Sequence, residues 1–194
     1  MFAAFQNNAT LVKVLANHPK IRINQADKNG ETALHHACTH SENTDGLAAR
    51  YLLNHPNIEV NWADNSGQTP IFKAVHKGNG AALLTRLLLD HQKILPNYLD
   101  HKGRTPLIYA IEVEDEYNND YPAITLIDDG RTWLCHNSQH GSAACVARRR
   151  APLTWYGMWR VSKLLMDKGV YCCMVGEIKI LSCLMEATKC YHWL

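Results

Sequence analysis

Polar and hydrophobic residues follow a pattern that recurs three times in the first 111 positions. Residues 64–74, DNSGQTPIFKA, combine a polar turn, a helix start and apolar residues at helical spacing. The same register is present at 27–37 and at 100–110, and the turn glycines of the three stretches lie 37 and 36 residues apart. Because a repeat period between about 20 and 50 residues is typical of stacked arrays, the pattern predicts several small units that share one elongated core.

Each unit continues with a second helix and an extended return. Residues 81–89 carry leucines on one wide stripe, which is typical of a helix packed against a core. Residues 47–54 have a weaker stripe, and residues 3–24 match the back half of a unit. Pro19 and Pro56 end these helices, since proline has no N–H and its ring disfavours continuation. The pattern therefore predicts helix pairs joined by polar turns.

Residues suited to capping and turn chemistry recur at fixed offsets. Thr32 and Thr69 can cap the first helix of their units, because a threonine hydroxyl accepts a hydrogen bond from a free helical N–H. Pro70 follows Thr69 at the first helical position, where its missing N–H costs nothing. Six residues before each turn glycine stands an asparagine: Asn24, Asn61 and Asn97.

The first-helix motifs carry a family resemblance. TALHHA (32–37), TPIFKA (69–74) and TPLIYA (105–110) resemble the T-P-L-H-x-A-A motif of ankyrin repeats in sequence and register. The resemblance implies an all-α, ankyrin-like solenoid of stacked helix-turn-helix repeats with short β-hairpin turns. Residues 1–115 are expected to form the stack, with these divisions: a partial repeat at 1–29, repeats at 30–66 and 67–102, and the start of the next at 103.

The repeat pattern weakens after residue 111. Residues 116–194 are expected to be a degenerate ankyrin-like region followed by a Cys/Trp-rich tail of uncertain structure. Within it, Gly130 begins a segment that resembles another repeat start, with Trp133 where proline belongs. Because Gly130 follows Gly103 by only 27 residues, the sequence predicts that about a hairpin's length is missing there.

Charge and cysteine content exclude several classes of protein. The formal net charge is +2, so no nucleic-acid partner is expected. No apolar run approaches the ~20 residues of a membrane helix, so no membrane association is expected. The N-terminus lacks the features of a secretory signal, and six of the seven cysteines lie after residue 134. These cysteines are interpreted as reduced thiols of an intracellular protein, cytoplasmic or nuclear.

The Cys/His residues could form a metal site or serve a structural role. His36 and His40 have the i,i+4 spacing of metal ligands on a helix, but a site needs three or four converging ligands. The resemblance implies instead that His35 is the T-P-L-H histidine, which hydrogen-bonds between neighbouring repeats. Cys172-Cys173 lacks the paired spacing of a zinc site, and the basic run 148–150 favours a solvated face. We therefore expect no metal and no cofactor.

No catalytic motif is present, so an enzyme is not expected. The resemblance implies a concave binding face made of hairpin tips and first helices. On the tips it would include Lys28, Asn29, Glu31, Asn65, Ser66, Gln68, His101, Lys102 and Arg104. From the helices it would include His36, Lys73, His76, Lys77, Tyr109 and Glu112. Arg and Tyr are enriched at binding hot spots, so Arg104 and Tyr109 are the expected anchors.

The implied function is that of a protein–protein interaction scaffold or adaptor without a small-molecule substrate. A solenoid offers an extended surface and no enclosed pocket, which suits recognition better than catalysis. Two alternatives remain open at this point. One is a regulatory or targeting module, or a fragment, of a larger signalling protein; the other is a metal-dependent enzyme that uses the Cys/His residues.

Overall fold

The computed structural model of the chain describes residues 1–39, 46–76, 80–113, 121–135, 137–138, 141–150 and 155–170. Several residues discussed above lie outside this part of the chain: Lys77, His40, and the tail after 170 with Cys172-Cys173. The side chains of the basic run 148–150 lie outside it as well.

Within these ranges the chain forms ten helices and one antiparallel pair of two-residue strands, which confirms the all-α class. The elements are α1 (Phe2–Phe5), α2 (Ala9–Ala16), α3 (Ala33–Thr39), α4 (Leu47–Leu53), α5 (Pro70–Ala74), α6 (Ala81–Leu89), α7 (Pro106–Glu112), α8 (Tyr121–Asp128), β1 (Asn137–Ser138), β2 (Gly141–Ser142), α9 (Ala143–Arg150) and α10 (Trp155–Asp167). None of these helices is both long and apolar enough to cross a membrane.

The helices pack in two parallel rows. The first helices of successive units, α1, α3, α5, α7 and α9, each contact the next in that order. The second helices, α2, α4, α6, α8 and α10, form the other row in the same way, and the two helices of each unit pack on each other. This is the stacking of helix-turn-helix repeats that the sequence predicts, and it continues through α9 and α10.

Equivalent apolar residues of successive repeats join into one core. Leu34, Ile71 and Leu107 occupy the same position in α3, α5 and α7, and all three are fully buried. Leu52 and Leu88 likewise occupy equivalent positions in α4 and α6, and both are buried. A single α3–α4 pair could not bury these side chains alone, so each repeat depends on its neighbours for stability.

The three asparagines that precede the turns tie neighbouring repeats together. The Nδ2 of Asn61 donates to the carbonyl of Lys93 at 2.6 Å, and its Oδ1 accepts from the N–H of Leu95 at 2.9 Å. Asn24 makes the same pair of bonds one repeat earlier, and Asn97 one repeat later. Each amide therefore satisfies a donor and an acceptor of the following return segment, which fixes the register of the stack.

The threonines that precede the first helices differ in their bonding among the units. Thr105 caps α7, since its hydroxyl accepts from the N–H of Ile108 at 3.3 Å. The prediction for Thr69 is wrong, because its buried hydroxyl makes no such bond and α5 has no side-chain cap. The Thr32 hydroxyl hydrogen-bonds the Nδ1 of His35 at 3.0 Å. Equivalent threonines therefore do not make equivalent hydrogen bonds.

The interpretation of Gly130 as a repeat start is wrong. Asn97 bonds to Arg131 and Trp133 as Asn61 bonds to Lys93 and Leu95, so Gly130 lies between the end of α8 and the return segment. The next first helix is α9, which packs on α7. Its start carries a further cap, a 3.4 Å bond from the N–H of Cys145 to the Ser142 hydroxyl. The division of the chain at residue 115 stays a prediction.

Candidate partner-binding face

One carboxylate oxygen organises each hairpin tip. The Oδ1 of Asp64 accepts from the N–H groups of Ser66 and Gln68 at 2.8 and 2.9 Å. Asp27 and Asp100 bind the amides two and four residues ahead of them in the same way. Because short polar side chains stabilise turns by such local bonds, the three tips adopt one shape.

Neighbouring tips are joined through their backbones. The N–H of Asn65 donates to the carbonyl of Asn29 at 3.0 Å, and the N–H of His101 donates to the carbonyl of Ser66 at 3.1 Å. Gly67 has φ +75°, and a Cβ on it would lie 2.8 Å from the backbone nitrogen of His101. Glycine is required there both by the left-handed conformation and by the close approach of the next tip. The tips therefore form a continuous, fixed edge.

Lys73 lies in an ion-pair network between two repeats. Its Nζ is 2.8 Å from Glu31 Oε1 and 2.8 Å from Asp64 Oδ2. Burial of Lys73 opposes its charge, but the hydrogen bonds to both carboxylates outweigh this and raise its pKa. Burial likewise opposes the charge of Asp64, yet the bond to Lys73 and the tip amides hold the pKa of Asp64 below its ordinary value. The sequence places Lys73 on the surface, whereas in the structure its ammonium binds two carboxylates of the chain.

The Asp27 carboxylate belongs to a group with metal-ligand chemistry. Its Oδ2 lies 3.0 Å from His36 Nε2, and the ligand atoms of Asp27, Glu31 and His36 lie within 4.8 Å of one another. Burial raises the pKa of Asp27, but the amides of the tip and His36 outweigh it, so the net shift is downward. The ammonium of Lys73 contacts Glu31, so a positive charge of the chain itself already offsets part of the negative charge of these carboxylates.

Arg104 orders the next part of the face. Its guanidinium binds Asp100 Oδ2 at 2.7 Å and Glu112 Oε2 at 3.1 Å, and it lies 4.7 Å from the centre of the Tyr109 ring. Burial opposes its charge, but the two carboxylates prevail and raise its pKa. The Arg104 side chain is only 12% exposed, so it acts as a support for Tyr109. Phe72 packs edge-on against the same tyrosine, with ring centres 5.5 Å apart.

Exposure divides the predicted face residues into groups. Exposed are Lys28, Asn29, Asn65, Ser66, His101 and Lys102. Half-buried are Glu31, His36, Lys73, His76, Arg104, Tyr109 and Glu112. The placement of Gln68 on the surface is wrong, because it is buried and its carbonyl accepts a 3.1 Å bond from His35 Nε2. Lys77 lies outside the described residues.

His35 links two repeats as the resemblance implies. Its Nε2 donates to Gln68 in the following repeat, while its Nδ1 accepts from the Thr32 N–H at 3.1 Å. Burial lowers the pKa of His35, so the neutral ring that this pattern requires is favoured. Phe5, which the sequence analysis did not single out, is exposed beside the predicted face, and its ring packs edge-on against His36 at 5.9 Å. Its only sequence signal is an aromatic residue in a short apolar helix.

Comparison with known proteins identifies the family. A family model of ankyrin repeats in three copies matches residues 1–84 and 41–119. Among solved structures, the crystal structure of EF0377, an ankyrin repeat protein, is similar, with a TM-score of 0.70 and 22% identity. The match covers 86% of this chain and 79% of that one. No curated protein matches the chain. With repeats matched over more than half its length and stacked as described above, the chain belongs to the ankyrin repeat family.

Proposed function

We propose that this protein is a non-catalytic scaffold or adaptor that binds a partner protein through the tip face. By tip face we mean the exposed residues Lys28, Asn29, Asn65, Ser66, His101 and Lys102, with Tyr109 beside them. The supporting observation is that the backbone beneath these side chains is fixed by aspartate–amide bonds and by bonds between tips. A surface that is ordered before binding loses little conformational entropy when a partner docks.

The roles within this face are not equal. Lys73 and Arg104 already bind carboxylates of the chain, so we propose that they hold the surface in shape. The exposed tip residues, together with Tyr109, are the proposed direct contacts. We also propose an intracellular location, cytoplasmic or nuclear, which is supported by the buried thiol of Cys38. Burial raises the pKa of Cys38 to about 12, so this thiol is unreactive.

A charge-reversal pair tests the tip face. The bait is the intact chain, used in affinity capture with quantitative mass spectrometry, and the test variant is Lys28→Glu/Lys102→Glu. The matched control is Arg50→Glu/Lys93→Glu, which reverses two exposed charges away from the tips. We expect proteins captured by the unmodified chain to be depleted at least about tenfold by the tip variant and retained by the control. Equal retention by both variants would show that the tip face is not the binding surface.

A further inference from the structure

Three metal-ligating side chains converge beside the hairpin tip that precedes α3. The sequence offers His40 as a second ligand next to His36, but the fold brings two other residues to it. Asp27 lies nine residues before His36 in the chain, and Glu31 lies at the same tip. The ligand atoms of Asp27, Glu31 and His36 are all within 4.8 Å of one another. The three side chains are between 14% and 24% exposed, so they form a half-buried group.

Each of these side chains is held in orientation by a further contact. Asp27 Oδ1 accepts from two backbone N–H groups of the tip at 2.8 and 2.9 Å, which leaves Oδ2 beside His36 Nε2 at 3.0 Å. Glu31 Oε1 lies 2.8 Å from Lys73 Nζ, and the His36 ring packs edge-on against Phe5. At metal sites, outer partners of this kind orient the ligands and fix their geometry.

The charge of the group suits a divalent cation. Lys73 binds both Glu31 and Asp64, so its single ammonium faces two carboxylates. Asp27 adds a third carboxylate. With His36 neutral, three negative charges and one positive charge leave a net charge of −2. A divalent ion would neutralise this charge without displacing Lys73 from Asp64.

The following repeat has a permanent cation at the equivalent place. Lys73 stands nine residues after Asp64, and its Nζ lies 2.8 Å from Asp64 Oδ2. His36 stands at the same offset from Asp27. A guanidinium binds the tip aspartate of the third repeat in the same way. At the first of these three tips the aspartate meets an imidazole instead, which in its neutral form is a metal ligand.

We propose that Asp27, Glu31 and His36 bind a divalent transition-metal ion, with Mn²⁺ and Zn²⁺ both accepted. Carboxylates suit Mn²⁺, and Zn²⁺ takes imidazole and carboxylate ligands together. Ligand atoms around an ion with ~2.0 Å bonds lie about 3.3 Å apart, close to the 3.0 Å between Asp27 Oδ2 and His36 Nε2. The ion ties the tip to α3, as Lys73 does one repeat later. None of the tip-face residues is a ligand, so this site and the proposed partner binding stand or fall separately.

Mn²⁺ alone is the first probe. Thiolates select softer ions, so the cysteines of the chain do not compete for Mn²⁺. The intact chain is titrated with Mn²⁺ while electron paramagnetic resonance records the free ion. One bound equivalent is expected, and excess Zn²⁺ should displace it because such sites bind Zn²⁺ more tightly than Mn²⁺. Absence of saturable Mn²⁺ binding would overturn the proposal.

Variants that remove one ligand each locate the ion. Asp27→Asn, Glu31→Gln and His36→Gln are each expected to weaken Mn²⁺ binding at least about tenfold. Asp27→Asn keeps the oxygen that accepts from the tip amides, so the turn is retained. The matched controls are Asp90→Asn and His91→Gln, which make the same changes just after α6 in another repeat. Weakening by the controls equal to that of the ligand variants would place the ion elsewhere and overturn the assignment.

His36→Lys separates a metal site from an ordinary hydrogen bond. It gives Asp27 the permanent cation that Lys73 gives Asp64. Mn²⁺ is expected to raise the urea midpoint of the unmodified chain, because an ion that binds the folded state stabilises it. His36→Lys is expected to fold, as checked by circular dichroism, to keep its metal-free midpoint and to lose the response to Mn²⁺. A full Mn²⁺ response in this variant would show that His36 is not a ligand.

Discussion

Truncating equivalent leucines along the second-helix row is expected to destabilise the protein by amounts that follow their burial. Leu88 is fully buried, Leu52 is 3% exposed and Leu15 is 42% exposed. Leucine to alanine removes three carbons, worth about 2.4 kcal/mol at ~0.8 kcal/mol each. In a closed core the cavity adds to this, and measured costs are about 2–5 kcal/mol. We expect Leu88→Ala and Leu52→Ala to fall in that range.

Leu15→Ala is expected to cost much less. A little over half of the Leu15 side chain is removed from water, so the transfer contribution is about 1.4 kcal/mol. Leu15 is open to solvent, so no closed cavity forms on truncation. Leu15→Ala therefore serves as the internal control for the other two variants, since all three make the same chemical change at the same register position.

The assay is urea denaturation followed by circular dichroism. The free energy of unfolding is compared among the three variants, provided that its slope against urea concentration is the same in all three. Equal costs for Leu88→Ala and Leu15→Ala would refute the difference in exposure between these two leucines. An unchanged denaturation midpoint for Leu88→Ala would refute the assigned register of α6.

Two further predictions concern the bonds between repeats. Asn61→Ala removes two hydrogen bonds to the following return segment. Because each bond contributes ~1 kcal/mol net, the variant is expected to lose about 1–2 kcal/mol of unfolding free energy in the same denaturation assay. A loss below about 0.3 kcal/mol would contradict the role of the asparagine series. Burial lowers the pKa of His35 from its ordinary 6.5, so the unfolded chain takes up a proton first and stability is expected to fall as pH decreases below 6.5. His35→Gln should flatten this dependence between pH 7 and 5; an undiminished slope in that variant would contradict the burial of His35.

The repeat register was predictable because its determinants are local. The Asp-x-x-Gly turn, the helix start and the apolar spacing all lie within about ten residues of one another, and each is a property of the chain segment itself. The tip geometry followed from the same signals, so Lys28, Asn65 and Lys102 are exposed where the sequence placed them. Residues whose environment is set within one hairpin can be located from the sequence.

The incorrect interpretation of Gly130 has a physical cause. Gly130 has a positive φ, like the turn glycines, but it follows α8. A glycine after a helix and a glycine in a repeat turn satisfy the same backbone requirement, so the local sequence does not separate them. The bonds of Asn97 to residues 131 and 133 do separate them, and those bonds exist only in the stack.

The sequence by itself determined the family, the helical period and the positions of the hairpin tips, because short-range sterics and hydrogen bonding decide these features. Only the tertiary structure decided which side chains remain available. Lys73 is occupied by Glu31 of the preceding repeat and by Asp64, and Arg104 by Asp100 and Glu112. Leu15 and Leu88 have the same local pattern, yet one is open and the other closed. The burial of these leucines and the pairing of Lys73 with Glu31 depend on neighbouring repeats, whose residues lie more than 30 positions away in the chain.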